Sequence, residues 1–286
     1  MALGWIDVKE YPFESLLLLE RFQIRLLLRW HMREPKWRRH MGAAVQAHPA
    51  VQWVWAKRCP EYAGTLKELC AEAPTRQGAA LRRAEVYVMA GIEDFLIYTT
   101  PEMMAKNCDF IAGWDKARLF DLADFSGKIV LDVGAGSGRL AFAAAEQARE
   151  VYASEPVGML REFMRDQIAR EDLHNMRVLD GVAACLPFPD DTFDIVMSGH
   201  VVGDDYDAEL AELTRVCKPG GWILDCRGDS VREYRPDSEL LCRGFEAVSY
   251  LGSWGKTVVN HRWRVAKNAA LHAASSPASK QAGTEF

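Results

Sequence analysis

Three glycines stand at alternate positions in Val130-Leu131-Asp132-Val133-Gly134-Ala135-Gly136-Ser137-Gly138, directly after a short apolar run. Glycine lets a chain turn sharply with no Cβ in the way and lets a ligand approach the backbone. Open α/β sheets bind ligands beyond the carboxyl ends of their strands, which is where such a loop would lie. A dinucleotide site spaces its glycines Gly-x-Gly-x-x-Gly so that the pyrophosphate rests on a helix N-terminus. Here the last glycine comes one residue early and Arg139 takes its place, which argues against NAD. Asp132, ahead of the first glycine, suits a cationic ligand better than a phosphate. Taken alone, the loop could also be a tight turn and nothing more. The next apolar run closes on Glu155-Pro156, 17 residues past Gly138. A carboxylate there can accept hydrogen bonds from both hydroxyls of a ribose. The alternative is a solvated acidic residue at a strand end.

These residues need a sheet to hold them. Lys128–Val133, Val151–Ser154, Met176–Leu179, Phe193–Met197 and Trp222–Asp225 are short apolar runs that read as buried strands. Arg139–Ala148 and Met159–Glu171 read as helices between them. Strands alternating with helices imply a parallel sheet covered on both faces. Phe245–Tyr250 and Lys256–Val265 have no helix between them and read as an antiparallel hairpin. Residues 1–115 read as helical. The pattern predicts helices over Glu14–Met32, Pro49–Cys59, Glu61–Ala71 and Gln77–Ile97, with Pro35 as a break and Thr100 as a cap before Pro101. Residues 268–286 are rich in Ala, Ser, Gly and Lys and read as a disordered tail.

Four motifs, in order and spacing, resemble the class I S-adenosylmethionine-dependent methyltransferases. Asp132–Gly138 resembles their first motif, and Glu155 matches the acid that closes their second strand. Leu186-Pro187-Phe188-Pro189-Asp190-Asp191-Thr192-Phe193-Asp194-Ile195-Val196 is similar to the segment around their fourth strand. Leu213-Thr214-Arg215-Val216-Cys217-Lys218-Pro219-Gly220-Gly221 is similar to the turn into the fifth. The resemblance covers residues 116–267. It implies a three-layer Rossmann-like α/β fold: a seven-stranded, mostly parallel sheet whose last two strands are the hairpin, with an N-terminal all-helical extension. It implies S-adenosylmethionine as cofactor and S-adenosylhomocysteine as product. Asp132 should then lie near the cofactor's amino group or methionine part, with Gly134, Ala135, Gly136, Ser137 and Gly138 along it and Ser198 close by. Glu155 should hold the ribose hydroxyls. Many relatives place an Asp where this chain has Val182, so adenine should rest on backbone groups near Ala183 and on Pro156 and Val182; Asp180 is a substitute partner.

Methyl transfer from a sulfonium uses an activated donor, so much of the catalysis can be positioning. A base is needed only if the acceptor must lose a proton. In the family, the segment Ser198-Gly199-His200 faces the transferable methyl, which makes His200 the candidate base or acceptor-orienting group. The alternative is a histidine that only packs or caps the loop. Asp204 and Asp205 could orient substrate or merely solvate the loop. No spacing here makes a tight metal site, and no metal is expected.

The 286 residues carry a net charge of −5, which argues against a protein that coats nucleic acid. Arg21–His40 nonetheless holds seven Lys or Arg against Glu34 alone, with Trp30 and Trp37 among them. That span could contact RNA or an acidic partner, or be a solvated face. The helical part could form a lid over the acceptor, lined by Trp30, Trp37, Trp53, Trp55 or Trp114, or be a cap that only buries apolar surface. Seven scattered cysteines without Cys-x-x-Cys pairs predict neither disulfides nor zinc and suit a reducing cytoplasm. No apolar run reaches the roughly 20 residues that span a bilayer, and none reads as a signal peptide. The expected activity is methyl transfer to a small molecule. The rivals are an RNA or protein methyltransferase using the basic helix, and a cofactor-binding scaffold without turnover.

Overall fold

The computed structural model describes residues 4–108, 110–111, 113–229 and 233–266; the predicted tail lies outside them. Strands β1 (Ile129–Val133), β2 (Glu150–Ser154), β3 (Met176–Leu179), β4 (Phe193–Ser198), β5 (Cys217–Asp225), β6 (Glu246–Leu251) and β7 (Thr257–Arg264) form one sheet. Their order is β3-β2-β1-β4-β5-β7-β6. The first five run parallel, and β7 is antiparallel to both β5 and β6. The seven-stranded sheet with its terminal hairpin is therefore as expected. Only the start of β5 differs, because Lys218-Pro219-Gly220-Gly221 is drawn into the strand.

Side chains alternate across the sheet, as the two-residue repeat demands. Val130 and Ala153 pack with Leu119, Ala141 and Met164 on one face. Those three come from α8 (Ala117–Phe120), α9 (Arg139–Ala145) and α10 (Gly158–Arg170). Leu131 and Val133 pack on the other face with Leu213 and Leu240, from α11 (Tyr206–Val216) and α12 (Ser238–Cys242). Chain order reverses at β1, where β2 lies on one side and β4 on the other, and that crevice is where such sheets bind ligands.

The N-terminal part is helical, as expected: α1 (Arg21–His31), α2 (Pro35–Ala47), α3 (Pro49–Arg58), α4 (Ala63–Glu72), α5 (Gly78–Ala90), α6 (Glu93–Leu96) and α7 (Pro101–Asn107). They bury a cluster of their own around Leu16, Leu27, Met41, Trp55, Leu66 and Val88. Three expectations need correction, and one helix was not expected. The helix predicted over Glu14–Met32 is a 3-10 segment, Phe13–Leu18, followed by α1. The chain straightens at Glu20, whose N–H donates to Gln23 Oε1 at 2.9 Å in a capping box. The helical run does break before Pro35, but Pro35 also starts α2, a helix not expected there, since proline suits the first helical turn and the Glu34 side chain caps it. The helix predicted over Gln77–Ile97 stops at Gly91, where an added Cβ would sit 3.2 Å from the Trp37 ring. Thr100 does not cap α7; its hydroxyl meets Tyr11 Oη at 3.1 Å.

Candidate active site

The glycine loop leaves β1 at the crevice and is tied to β2. The N–H groups of Gly134 and Ala135 both donate to the Ser154 carbonyl, at 2.8 and 3.1 Å. Gly134 and Gly136 have φ of +64° and +59°, a region where side chains are strained. An added Cβ at Gly134 would overlap Val201 Cγ2, and one at Gly136 would come within 3.1 Å of Met104 Cε. Over this loop opens a cavity of about 520 Å³, a size usual for small-molecule sites.

Asp132, Gly134, Ala135, Gly136, Ser137, Glu155, Pro156, Val182, Ala183 and His200 all line this cavity. Gly138 does not. With φ +92° it begins α9 and packs on Phe142 and Met164. Ser198 does not line it either; it lies buried at the end of β4. Asp180 is turned away onto Arg161, 3.2 Å from Nη1.

Two buried carboxyls define the loop end. Asp132 is 1 % exposed, and neither of its oxygens has a well-formed hydrogen bond. Burial pushes its pKa up to about 8, against the pull of Arg139. An unpaired acid in this position calls for a donor from a ligand, and a cationic amino group fits it. Glu155 accepts the Gly136 N–H at Oε2 (2.8 Å) and the Val157 N–H at Oε1 (2.9 Å). Each oxygen keeps a second lone pair for a hydroxyl. Burial outweighs those two bonds and raises its pKa to about 7. The residues present therefore fit a ligand with an ammonium near Asp132 and a ribose near Glu155.

His200 follows β4 in the left-handed region, φ +61°. Histidine is tolerated there, and such strain gathers at functional sites. Its Nε2 donates to the Arg227 carbonyl at 2.6 Å, so Nδ1 carries the lone pair. The ring lies between Phe110 (4.7 Å) and Tyr234 (5.9 Å). The ring is exposed where the cavity opens; the protein crowded around it and the charge on Arg139 lower its pKa to about 4. It is a neutral imidazole at pH 7. Asp204 lines the cavity and burial raises its pKa, whereas Asp205 caps α11 by accepting the Ala208 N–H.

Other lining residues have no motif to announce them. Phe22, Arg25, Leu26 and Arg29 come from α1, Tyr98 from the turn after α6, and Phe110 from beyond α7. The apolar spacing of α1 could have found Phe22 and Leu26; nothing local marks Phe110. Of the tryptophans expected over the acceptor, four are described and none lines the cavity: Trp37 and Trp55 are core, Trp53 is 64 % exposed, and Trp114 lies over Arg139. Trp30's side chain lies outside the described residues. The basic span is partly neutralised, Arg21 and Arg25 by Glu61 and Arg38 by Glu72. Among the described residues no group of His, Cys, Asp or Glu could hold a metal, and no helix is long and apolar enough to cross a membrane.

Residues 130–221 match the family model of a methyltransferase domain. An uncharacterised protein of Mycobacterium tuberculosis is 35% identical over 119 residues, which cover 37% of this chain and 43% of that one. The ubiquinone/menaquinone biosynthesis C-methyltransferase of a Marinomonas species is 30% identical over 157 residues, 51% of this chain and 60% of that one. The chain thus spans less than two thirds of the length of these relatives. A crystal structure of a SAM-dependent methyltransferase from Aquifex aeolicus superposes with a TM-score of 0.48 at 20% identity, covering 58% of this chain and 98% of that one.

Proposed function

We propose that this chain, which carries a class I S-adenosylmethionine-dependent methyltransferase domain, transfers a methyl group to a small-molecule acceptor by in-line displacement. One observation carries the reading: a buried, unpaired Asp132 and a buried Glu155 flank a left-handed glycine loop inside one cavity. Bound there, S-adenosylmethionine supplies a methyl group already activated on a sulfonium. Asp132 would receive its amino group and Glu155 its ribose hydroxyls. Ala183, Pro156 and Val182 would pack along the adenine, with Val182 leaving that base no acidic partner.

The chain's own work is then positioning and exclusion of water. His200, neutral and with Nδ1 free to accept, orients an acceptor hydroxyl or amine. Its lowered basicity makes it a weak proton acceptor, so an acceptor that already carries its lone pair suits the site best. We assign residues 1–115 to the acceptor side, because Phe110 faces His200 and because α1 and Tyr98 line the same cavity, Tyr98 toward Glu155. No disulfide joins any of the seven cysteines among the described residues, which supports a reducing compartment such as the cytoplasm.

Calorimetric titration with S-adenosylmethionine and S-adenosylhomocysteine tests the reading. Micromolar binding that falls tenfold or more in Glu155→Ala, about 1.4 kcal/mol or more, is the expected result. A folded wild-type protein that binds neither would overturn it.

A further inference from the structure

Arg139, read in the sequence as a missing glycine, is the first residue of α9, and its side chain crosses the sheet to the ends of β4 and β5. Its Nη2 donates to the Cys226 carbonyl at 2.6 Å. The Trp114 ring lies 4.4 Å from the guanidinium carbon and fixes its plane. Gly199 and Gly228 make room for it. An added Cβ would sit 2.8 Å from Nη2 at the first position and 2.6 Å from Nη1 at the second. This charge lines the cavity, yet no carboxylate lies within 4 Å of it among the described residues, and Nη1 has no hydrogen-bond partner. Asp132 and Asp225 act on it only at longer range.

A desolvated cation without a counter-ion is costly to keep, and burial disfavours its charged form. Arginine presents a planar fork of donors that matches a carboxylate. The location separates this fork from the ribose end of the cofactor. Glu155 closes β2, whereas the guanidinium sits at β5, three strands away in the order β2-β1-β4-β5, or about 14 Å across the sheet. His200 stands on the same side as Arg139 and feels its charge. Phe22, Leu26, Phe95, Phe110 and Ile111 give the rest of the chamber an apolar wall.

We propose that Arg139 is the anchor for an anionic group of the methyl acceptor, so that the acceptors are small carboxylic acids with an apolar body. This rests on the methyl-transfer reading of the same cavity. The fork holds the acid, the apolar wall takes the body, and His200 orients the atom to be methylated.

The experiment titrates benzoate and phenylacetate, with benzamide and phenylacetamide as neutral counterparts, into protein saturated with S-adenosylhomocysteine. The expected result is at least tenfold tighter binding of each acid than of its amide. Arg139→Met should abolish that preference, Arg139→Lys should keep part of it, and S-adenosylhomocysteine affinity should stay within threefold of wild type in both. Absence of any acid preference in the wild type, or its survival in Arg139→Met, overturns the proposal. So does a tenfold loss of S-adenosylhomocysteine affinity in Arg139→Met with 5′-methylthioadenosine affinity unchanged, since the anion would then be the cofactor's own carboxylate. Wild-type protein that binds no S-adenosylhomocysteine would instead sink the methyl-transfer reading, and the same acid and amide titrations on the free protein would still decide the anion site. The wild-type comparison and Arg139→Lys stand even if Arg139→Met fails to fold.

Discussion

Raising the pH from about 6 to about 8 should tighten the binding of 5′-methylthioadenosine roughly tenfold, and Glu155 should account for the change. This ligand has the ribose and adenine of the cofactor but no amino-acid part, so Asp132 has nothing to meet. Ribose hydroxyls donate, and only an ionised Glu155 offers its full set of acceptors beside the Gly136 and Val157 N–H groups. With its pKa near 7, the ionised fraction climbs from about 0.1 to about 0.9 over that interval, and each tenfold is worth about 1.4 kcal/mol. Calorimetry at pH 7 in two buffers of different ionisation enthalpy should record release of about half a proton on binding. Glu155→Gln should flatten the pH dependence and remove the proton release. It should also weaken binding tenfold or more at pH 8, because its amide group would face one of the two backbone N–H donors. A pH-independent affinity with no proton release would refute the reasoning.

The same carboxyls set a stability trend in the free protein. Glu155 and Asp132 have folded-state pKa values near 7 and 8, above their ordinary 4.5 and 3.8. Between those limits the folded chain holds protons that the unfolded chain has released, so their contribution to stability falls as pH rises from about 4 to 8. Thermal melts should show that slope without ligand, and S-adenosylhomocysteine should raise Tm more at pH 8 than at pH 6. His200→Ala should cut kcat by about 100-fold, the scale of a lost positioning contact, while S-adenosylhomocysteine affinity stays within about threefold; an unchanged kcat would leave His200 a packing residue. Gly134→Ala should destabilise the chain by about 1–3 kcal/mol and cost cofactor affinity. Adding Val201→Ala should recover part of the loss, because it relieves the overlap but not the φ of +64°. If the helical wall is on the acceptor side as proposed, Phe22→Ala, which trims the cavity lining, should raise the acceptor's KM more than it changes cofactor affinity, measured by steady-state kinetics.

The glycine loop and Glu155 were legible because the backbone dictates them. A left-handed turn at a strand end admits few residues but glycine, and the acid must close the neighbouring strand to reach the same crevice. The sheet was legible through runs of buried residues, which parallel strands covered on both faces require. Pro35 was read as a break, which it is, but α2 was missed because proline serves both as a stop after one helix and as the first residue of the next, and α2 is held by packing on α5. The break at Gly91 was hidden for a similar reason: one isolated glycine in a helical pattern is tolerated unless a neighbour, here Trp37, takes the space. Arg139 was out of reach because its role depends on Gly199, Gly228 and Trp114, which meet it only in the folded chain.

The stretch that matches the methyltransferase model and the helical stretch that completes the cavity wall are not the same. Residues 130–221 supply the loop, Glu155 and His200. The opposite wall comes from α1 and from the segment around α7, all before residue 116. The two are joined by specific contacts. Glu20 accepts the Gly158 N–H at 3.2 Å, Met104 approaches Gly136, and Trp5 packs on Phe110 (5.6 Å), which in turn faces His200. Trp5 is itself held where Asn107 Nδ2 donates to its carbonyl at 2.7 Å and its own N–H donates to Glu93. Glu20 and Met104 reach the cofactor end directly, whereas a change at Trp5, Asn107 or Glu93 would reach the ring of His200 through Phe110 without touching the cofactor loop. Acceptor choice should therefore vary among proteins that share residues 130–221 closely, and the substrate of a relative matched over that stretch alone does not carry over. Exchanging residues 1–115 between this chain and such a relative should move acceptor preference while leaving S-adenosylhomocysteine affinity near that of the parent domain. If preference followed residues 130–221 instead, the helical wall would be support and not selector.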